Sequence, residues 1–99
     1  MTNRKISWSK TSVKQFESAI NYIGLDSIQN AQKVRNEILK KINNLSLYPE
    51  IHSPDKYKTN NDGSYRAFEL YRCRIAYHVT EKEIRVLRIR HTSREPKEY

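Results

Sequence analysis

The hydrophobic positions near the start of the chain follow two different periods. Residues 5–9, K-I-S-W-S, place Ile6 and Trp8 on one side, which predicts a short strand with one buried face. Ser12 and Gln15 then form a capping box, and the apolar residues after them recur at helical spacing until Gly24. We therefore expect a first helix of about three turns.

A second helical pattern begins at Asp26 or Ser27, either of which can act as its N-cap. Its apolar positions step by three and four residues, and the pattern continues to about Leu47, before Pro49. These positions are Ile28, Ala31, Val34, Ile38, Ile42 and Leu45. Because few residues separate the two helices, they must fold back as a hairpin, and their apolar stripes need a sheet to cover.

The region after the second helix changes character twice. Residues 48–64 contain two prolines and an Asn-Asn-Asp-Gly turn without a sustained period, which predicts a loop long enough to have a function. Three strand-like runs follow near residues 65–70, 73–79 and 83–90. The breaks between these runs are short, so we expect the strands to pair antiparallel.

The middle run has an apolar face and a basic face. The apolar positions are Cys73, Ile75, Tyr77 and Val79, and the other face carries Arg72, Arg74, Ala76 and His78. In the last run the apolar parity changes between Val86 and Leu87, which predicts a bulge there. Arg88 and Arg90 then join the basic face, which we expect to lie away from the helices and to be uncovered.

The order strand, helix, helix, strand, strand, strand predicts an α+β fold. In this fold the N-terminal strand and the helical hairpin pack on one face of a mainly antiparallel sheet. Ninety-nine residues supply one modest core, so we expect residues 1–99 to form a single domain.

Composition narrows the classes of function. A net charge of +8 and a pI near 9.7 fit a partner that is a polyanion or an acidic protein. The single cysteine, Cys73, predicts a reducing cytoplasmic location and no cysteine zinc site. With two glycines, the chain cannot carry a P-loop or a dinucleotide fingerprint, and no apolar run is long enough for a membrane span. We expect no cofactor, no metal and no membrane partner.

The candidate chemistry is concentrated in residues 64–99. This stretch holds seven of the nine arginines, four of the seven tyrosines and two of the three histidines. Arginine suits phosphate oxygens, and tyrosine and histidine offer flat faces for bases. The pattern favours a phosphate-rich partner, with RNA as the leading hypothesis.

The same stretch carries a family resemblance. The segments S-Y-R-A-F-E-L, R-C-R-I-A-Y-H-V with the turn T-E-K, E-I-R-V-L-R-I-R-H and S-R-E-P-K-E-Y follow the helical hairpin. Together they resemble the RelE/ParE superfamily of toxins from bacterial type II toxin–antitoxin systems, over nearly the whole chain. The most specific part is residues 73–77, followed by a hydrophobic strand and His-x-x-Arg. The resemblance implies a cytoplasmic toxin, of the kind linked to plasmid stabilisation, that a cognate antitoxin wraps and neutralises.

The superfamily has two branches with different activities, and the fold does not distinguish them. The leading hypothesis is a RelE-like, metal-independent endoribonuclease that cleaves mRNA on the ribosome and blocks translation. The alternative is a ParE-like inhibitor of DNA gyrase without hydrolytic activity. Phe68 stands where the RelE branch has a second basic residue, and the H-T-S-R ending is similar to ParE-like members. A third interpretation is a binding module that acts only as a repressor with its partner.

The RelE resemblance implies a set of site residues. The catalytic candidates are Arg74, Arg94, His91 and Tyr99, and the candidates for RNA binding are Arg66, Arg72, Arg88, Arg90, Tyr65 and Tyr71. Metal-free RNA cleavage needs a base, an acid and cations at the phosphate. Arg74 and Arg94 would converge to hold the phosphate, while His91 or Tyr99 would transfer protons.

Several residues have simpler structural interpretations. We expect Tyr77 to lie in the core with its hydroxyl at the rim, Cys73 to be a small buried hydrophobe, and Trp8 to pack. His52 and His78 are expected at the surface. The arginine row of the last strand also fits a docking surface for an acidic antitoxin.

Overall fold

The structure, a computed structural model, describes residues 3–92 and 97–99. Its six elements are β1 (Lys5–Trp8), α1 (Lys10–Gly24), α2 (Ile28–Asn44), β2 (Tyr65–Leu70), β3 (Cys73–Val79) and β4 (Glu83–His91). The sheet order is β1-β4-β3-β2, with β1 parallel to β4 and the other pairs antiparallel. The α+β fold with a mainly antiparallel sheet is therefore confirmed.

The bulge expected in the last strand is present. Tyr77 pairs with Val86, but the next pair is Ala76 with Arg88, so Leu87 is the extra residue on β4. This insertion explains the change of apolar parity, because one unpaired residue moves every later side chain to the other face.

The start of α1 differs from the predicted capping box. Ser9 is the N-cap, and its side chain accepts a hydrogen bond from the Ser12 N–H at 3.1 Å. Ser12 is buried inside the helix, and its hydroxyl is shared between Ser9 O at 2.8 Å and Val86 O at 3.1 Å, while Gln15 Oε1 accepts from the Ile89 N–H at 2.7 Å. The two side chains expected to cap the helix therefore bind backbone groups of β4 on either side of the bulge.

The second helix begins and ends close to its predicted bounds. Ser27 is its N-cap and accepts from the Asn30 N–H at 3.1 Å. The helix ends at Asn44, three residues before the expected position, because the backbone tightens there. The N–H groups of Leu45 and Leu47 bond to carbonyls three residues back rather than four.

Both helices cover one face of the sheet and form the core with it. Ile38 and Ile42 of α2 are fully buried, as are Ile75 and Tyr77 of β3. Tyr77 lies in the core as expected, but its hydroxyl is fully enclosed rather than at the rim, and it donates to Pro49 O at 3.0 Å. No helix in residues 3–92 is long and apolar enough to cross a membrane.

The remaining core expectations are also confirmed. Cys73 is fully buried, and burial raises the pKa of its thiol. Trp8 is half-buried and packs against Phe16, with ring centroids 5.4 Å apart. Both residues are therefore structural.

The connection between β2 and β3 has an unusual backbone. Leu70 and Cys73 are paired, so Tyr71 and Arg72 alone form the turn, with φ values of 52° and 62°. Two consecutive left-handed residues define the turn type that strongly favours Asn-Gly. A residue with a Cβ loses about 1–2 kcal/mol in this conformation, so a Tyr-Arg turn is strained. Arg72 consequently lies in the turn and not, as expected, on the basic face of β3.

Candidate functional site on the outer face of the sheet

We call the sheet face turned away from both helices the outer face. Cross-strand pairing assigns its side chains, because directly paired residues point to the same side. They are Tyr65, Ala67, Glu69, Arg74, Ala76, His78, Arg85, Arg88 and Arg90. Most of the predicted basic row is therefore on one face, as expected from the strand pattern.

The outer face is not uncovered, which corrects the sequence-based expectation. The loop before β2 folds back along the edge of the sheet, where the Asp55 N–H donates to Tyr65 O at 2.7 Å. Residues 97–99 then attach to this loop. The Tyr99 N–H donates to Tyr57 O at 3.0 Å, and the Thr59 N–H donates to Tyr99 O at 2.6 Å. Part of the basic face thus lies beneath two segments that are distant in sequence.

Asp55 holds this cover in place. The residue is only 2% exposed, and its carboxylate accepts three hydrogen bonds, from Arg74 Nη2 at 2.8 Å, the Tyr99 hydroxyl at 2.7 Å and the Tyr57 N–H at 3.1 Å. Burial alone would raise the pKa of Asp55, but these hydrogen bonds outweigh burial and lower it. The carboxylate therefore joins the loop, β3 and the C-terminal residues.

Arg74, the leading catalytic candidate, is bound by carboxylates on two sides. Besides Asp55, it pairs with Glu69 Oε2 at 2.9 Å, and its side chain is 16% exposed. Its guanidinium also lies 4.8 Å from the centroid of the Tyr57 ring. Burial would lower the pKa of Arg74, but the two carboxylates outweigh burial and raise it. A guanidinium held in this way is not available to grip a phosphate without first losing an ion pair.

Arg88 and Arg90 lie beside Arg74 on the neighbouring strand. Arg90 pairs directly with Arg74, while the Arg88 guanidinium sits 4.0 Å from the Tyr99 ring and donates to Lys97 O at 2.5 Å. Burial lowers the pKa of Arg88; repulsion by Arg90 and Arg74 adds to this, whereas Tyr99 and Asp55 oppose it. A cavity of about 190 Å³ opens here, lined by Tyr57, Glu69, Arg74, Arg88, Arg90, His91 and Thr92.

Of the two proposed proton-transfer residues, His91 lines this cavity, whereas Tyr99 is not among the lining residues. His91 pairs with Cys73 and packs its ring against Tyr22 of α1, 6.2 Å between centroids, so the ring lies towards the helices. Burial and the Asp55 carboxylate raise the pKa of Tyr99, so its hydroxyl keeps its proton near neutral pH and does not accept another group's proton as a tyrosinate would. Arg94 lies outside the described residues. The expected convergence of Arg74 with Arg94 therefore remains a prediction.

Three of the six candidates for RNA binding, Tyr65, Arg88 and Arg90, lie on the outer face, and the other three do not. Arg66 lies on the helix-covered face, where Nη1 donates to His52 O at 2.6 Å. Tyr65 stacks on His78 with centroids 4.0 Å apart, so one face of its ring is already used. The Tyr71 hydroxyl donates to Glu37. Arg72 is exposed, and Arg88 and Arg90 belong to the cavity. A role in RNA binding stays a prediction for all six residues.

The sequence interpretation missed two residues of the site and misplaced two histidines, of which His78 is half-buried and stacked on Tyr65. Asp55 and Tyr57 were treated only as loop residues, although an acidic side chain in S-P-D-K-Y facing an arginine-rich sheet could have indicated an ion pair. His52 is half-buried rather than at the surface, and it stacks on Phe68 at 4.7 Å. Burial and the nearby Lys41 lower the pKa of His52.

The fold is one that a known class of proteins shares. A helical hairpin on a four-stranded, mainly antiparallel sheet is the architecture of RelE/ParE superfamily toxins. A solved structure described as the chromosomal ParDE TA system from P. aeruginosa is similar to this chain. The TM-score is 0.70 at 18% identity, and the match covers 89% of this chain and 95% of that chain.

A family model narrows the class. The model of the ParE toxin of type II toxin-antitoxin system, parDE, matches residues 6–96. The chain therefore belongs to the ParE toxin family and is a type II toxin. A search of curated proteins found no match. The superfamily resemblance is confirmed, whereas endoribonuclease activity and RNA binding find no support in these comparisons.

Proposed function

We propose that this protein is a ParE-type toxin that arrests growth by inhibiting DNA gyrase, without cleaving RNA, and that a cognate antitoxin neutralises it. Family membership over residues 6–96 supports the ParE branch over the RelE branch. The proposal places the toxin in the cytoplasm, where gyrase and its DNA substrate are found. It replaces the nuclease hypothesis that the arginine-rich sequence favoured.

The state of Arg74 is the observation that carries the choice between the branches. A nuclease of the RelE type needs this arginine free at a phosphate, but Asp55 and Glu69 occupy its guanidinium. Releasing Arg74 would leave the Asp55 carboxylate buried without its main cation, which is costly. An ion pair of this kind is expected of a structural arginine. A gyrase inhibitor without hydrolytic activity needs no phosphate-binding site on the sheet.

The antitoxin is the second partner in the proposal. The net charge of +8 favours association with an acidic protein, because opposite charge speeds encounter and masks self-repulsion. Exposed apolar residues offer the contact area that a stable complex needs. They form two groups, Tyr22, Leu25 and Ile28 at the helix hairpin, and Leu47, Tyr48 and Ile51 after α2.

A paired experiment tests the choice of target. Purified toxin is added to gyrase and relaxed plasmid, and supercoiling is followed on a gel. In parallel, mRNA 5′ ends are mapped shortly after induction in growing cells. We expect loss of supercoiling, cell filamentation and intact mRNA. Cuts phased with the ribosome, together with undisturbed supercoiling, would reject the proposal and restore the nuclease hypothesis.

A further inference from the structure

The turn between β2 and β3 has a strained backbone. Tyr71 and Arg72, which we call the hairpin tip, both have positive φ where glycine and asparagine are the favoured residues. Strain of this kind persists when the surroundings enforce it, and it clusters at functional positions. The strain at the hairpin tip therefore points to a function for the side chains of Tyr71 and Arg72.

The surroundings hold the hairpin tip rigidly. The Tyr71 hydroxyl donates to Glu37 of α2, the Thr92 N–H donates to Arg72 O at 2.7 Å, and Leu70 pairs with Cys73 below the turn. Three elements thus fix the turn in position. A side chain mounted on it is preorganised, so little conformational freedom is lost when a partner binds.

The Arg72 side chain is the one left available. It is exposed, and it makes no hydrogen bond or ion pair within residues 3–92 and 97–99, whereas Arg74 beside it is bound to two carboxylates. Tyr71 next to it keeps 39% of its surface exposed. Arginine and tyrosine are the residue types most enriched among the dominant contacts of protein interfaces.

We infer that the hairpin tip is a recognition element that docks Arg72 against an acidic protein surface of the toxin's target. This inference rests on the proposed function, in which the target is DNA gyrase. The tip is polar and charged, which suits a transient encounter with an enzyme better than a permanent complex. The exposed apolar groups at the helix hairpin and after α2 suit the antitoxin complex better.

Two substitutions separate the side chain from the strain. Arg72→Gly removes the guanidinium and relieves the left-handed backbone, and glycine's greater freedom in the unfolded chain offsets part of this gain, so the midpoint of thermal unfolding should rise by about 4–8 °C. Arg72→Ala removes the guanidinium but keeps a Cβ, so its midpoint should stay near that of the natural protein. Lys82→Ala is the matched control, because it removes one exposed positive charge from the turn at the opposite end of the sheet.

Two quantities are measured for each variant. The first is inhibition of gyrase supercoiling by the purified toxin, and the second is the suppression of growth arrest when the antitoxin is co-expressed. Both Arg72 variants should need at least about tenfold more toxin for half inhibition, as expected for a dominant interface contact. Lys82→Ala should inhibit normally, and antitoxin rescue should be unchanged in all three. If the glycine variant does not fold, the alanine variant decides.

Three results would overturn the inference. A more stable Arg72→Gly variant with undiminished inhibition would make the strain incidental. Lost antitoxin rescue with normal inhibition would assign the hairpin tip to the antitoxin interface. Loss of binding to plasmid DNA alone, at unchanged affinity for gyrase without DNA, would make the ligand a nucleic acid. If the natural protein does not inhibit gyrase, the proposed function fails first, and this inference falls with it.

Discussion

Replacing Asp55 by asparagine tests whether one buried carboxylate organises the outer face. Asparagine keeps the shape of the side chain but removes its charge and exchanges one acceptor oxygen for a donor. That donor must face Arg74 or the Tyr99 hydroxyl, both of which donate to Asp55 in the structure. Asp55→Asn should therefore weaken several contacts together, including the hydrogen bond that ties the Tyr99 hydroxyl to the loop before β2.

The expected loss of folding free energy in Asp55→Asn follows from the burial of the carboxylate. Removing one partner of a buried ion pair typically costs about 3–5 kcal/mol. Arg74 keeps Glu69 as a second partner and is 16% exposed, so we expect a smaller loss than this, about 2–3 kcal/mol. For a domain of this size, that corresponds to a fall of about 10–20 °C in the unfolding midpoint.

Glu69→Gln is the matched control, because it removes the other carboxylate from the same arginine. Glu69 has 55% of its side chain exposed, so its ion pair should contribute about 0–1 kcal/mol. Thermal and urea unfolding followed by circular dichroism give both values. Equal losses of stability in the two variants would refute the claim that burial makes Asp55 the organising residue.

The pH dependence gives an independent check on Asp55. Its pKa in the folded protein is lowered from the ordinary value of 3.8. A lowered carboxylate pKa contributes stability that is present above 3.8 and is lost as the pH falls through the folded value. The asparagine variant should lack this part of the acid unfolding profile, whereas the glutamine control should retain it.

Three further predictions concern side chains of the core and of the loop before β2. His52 has a pKa lowered from 6.5, so stability should decline as the pH falls below 6.5 towards the folded value, and His52→Gln should flatten this decline in unfolding curves. Tyr77→Phe leaves Pro49 O without its buried donor and should cost about 1–2 kcal/mol in urea unfolding; an unchanged midpoint would contradict the assigned hydrogen bond. Ser12→Ala removes the donor to Val86 O and should cost about 1 kcal/mol, with faster hydrogen exchange at the start of α1; unchanged exchange there would count against the role given to Ser12.

The elements that sequence patterns located best are those whose signal is local. The three C-terminal strands begin and end within a residue of their predicted bounds, and the bulge lies where the apolar parity changes. A strand period of two residues makes such a change visible without knowledge of the partner strand. The position of Leu87 could therefore be predicted from sequence.

The residue that caps α1 could not be predicted from the local sequence alone. Ser12 and Gln15 match a capping box by spacing, but Ser9 caps the helix and the other two bind β4. Spacing shows which side chains can reach a helix terminus. Which of them does so depends on the bulge, which presents backbone groups of β4 that need partners. That competition exists only in the folded chain.

Which charges of the outer face are paired was even less predictable from the local sequence. Counting arginines predicted an uncovered phosphate-binding surface, and the strand pattern correctly placed most of them on one face. The pattern could not show that Asp55, from a loop without periodicity, would neutralise Arg74, or that the Tyr99 ring would pack against Arg88. Ion pairing depends on distances between residues far apart in sequence, and no local period encodes those distances.

The sequence by itself therefore determined the order of elements, the two faces of the strands, the bulge and the resemblance to a toxin superfamily. Hydrophobic periodicity sets these features, because it acts between near neighbours on the chain. The tertiary structure decided which charges are available. It buried Asp55 against Arg74, turned His91 towards α1 and left Arg72 exposed on a strained turn. Burial and pairing decide what a charged side chain can do, and both arise only when distant segments meet.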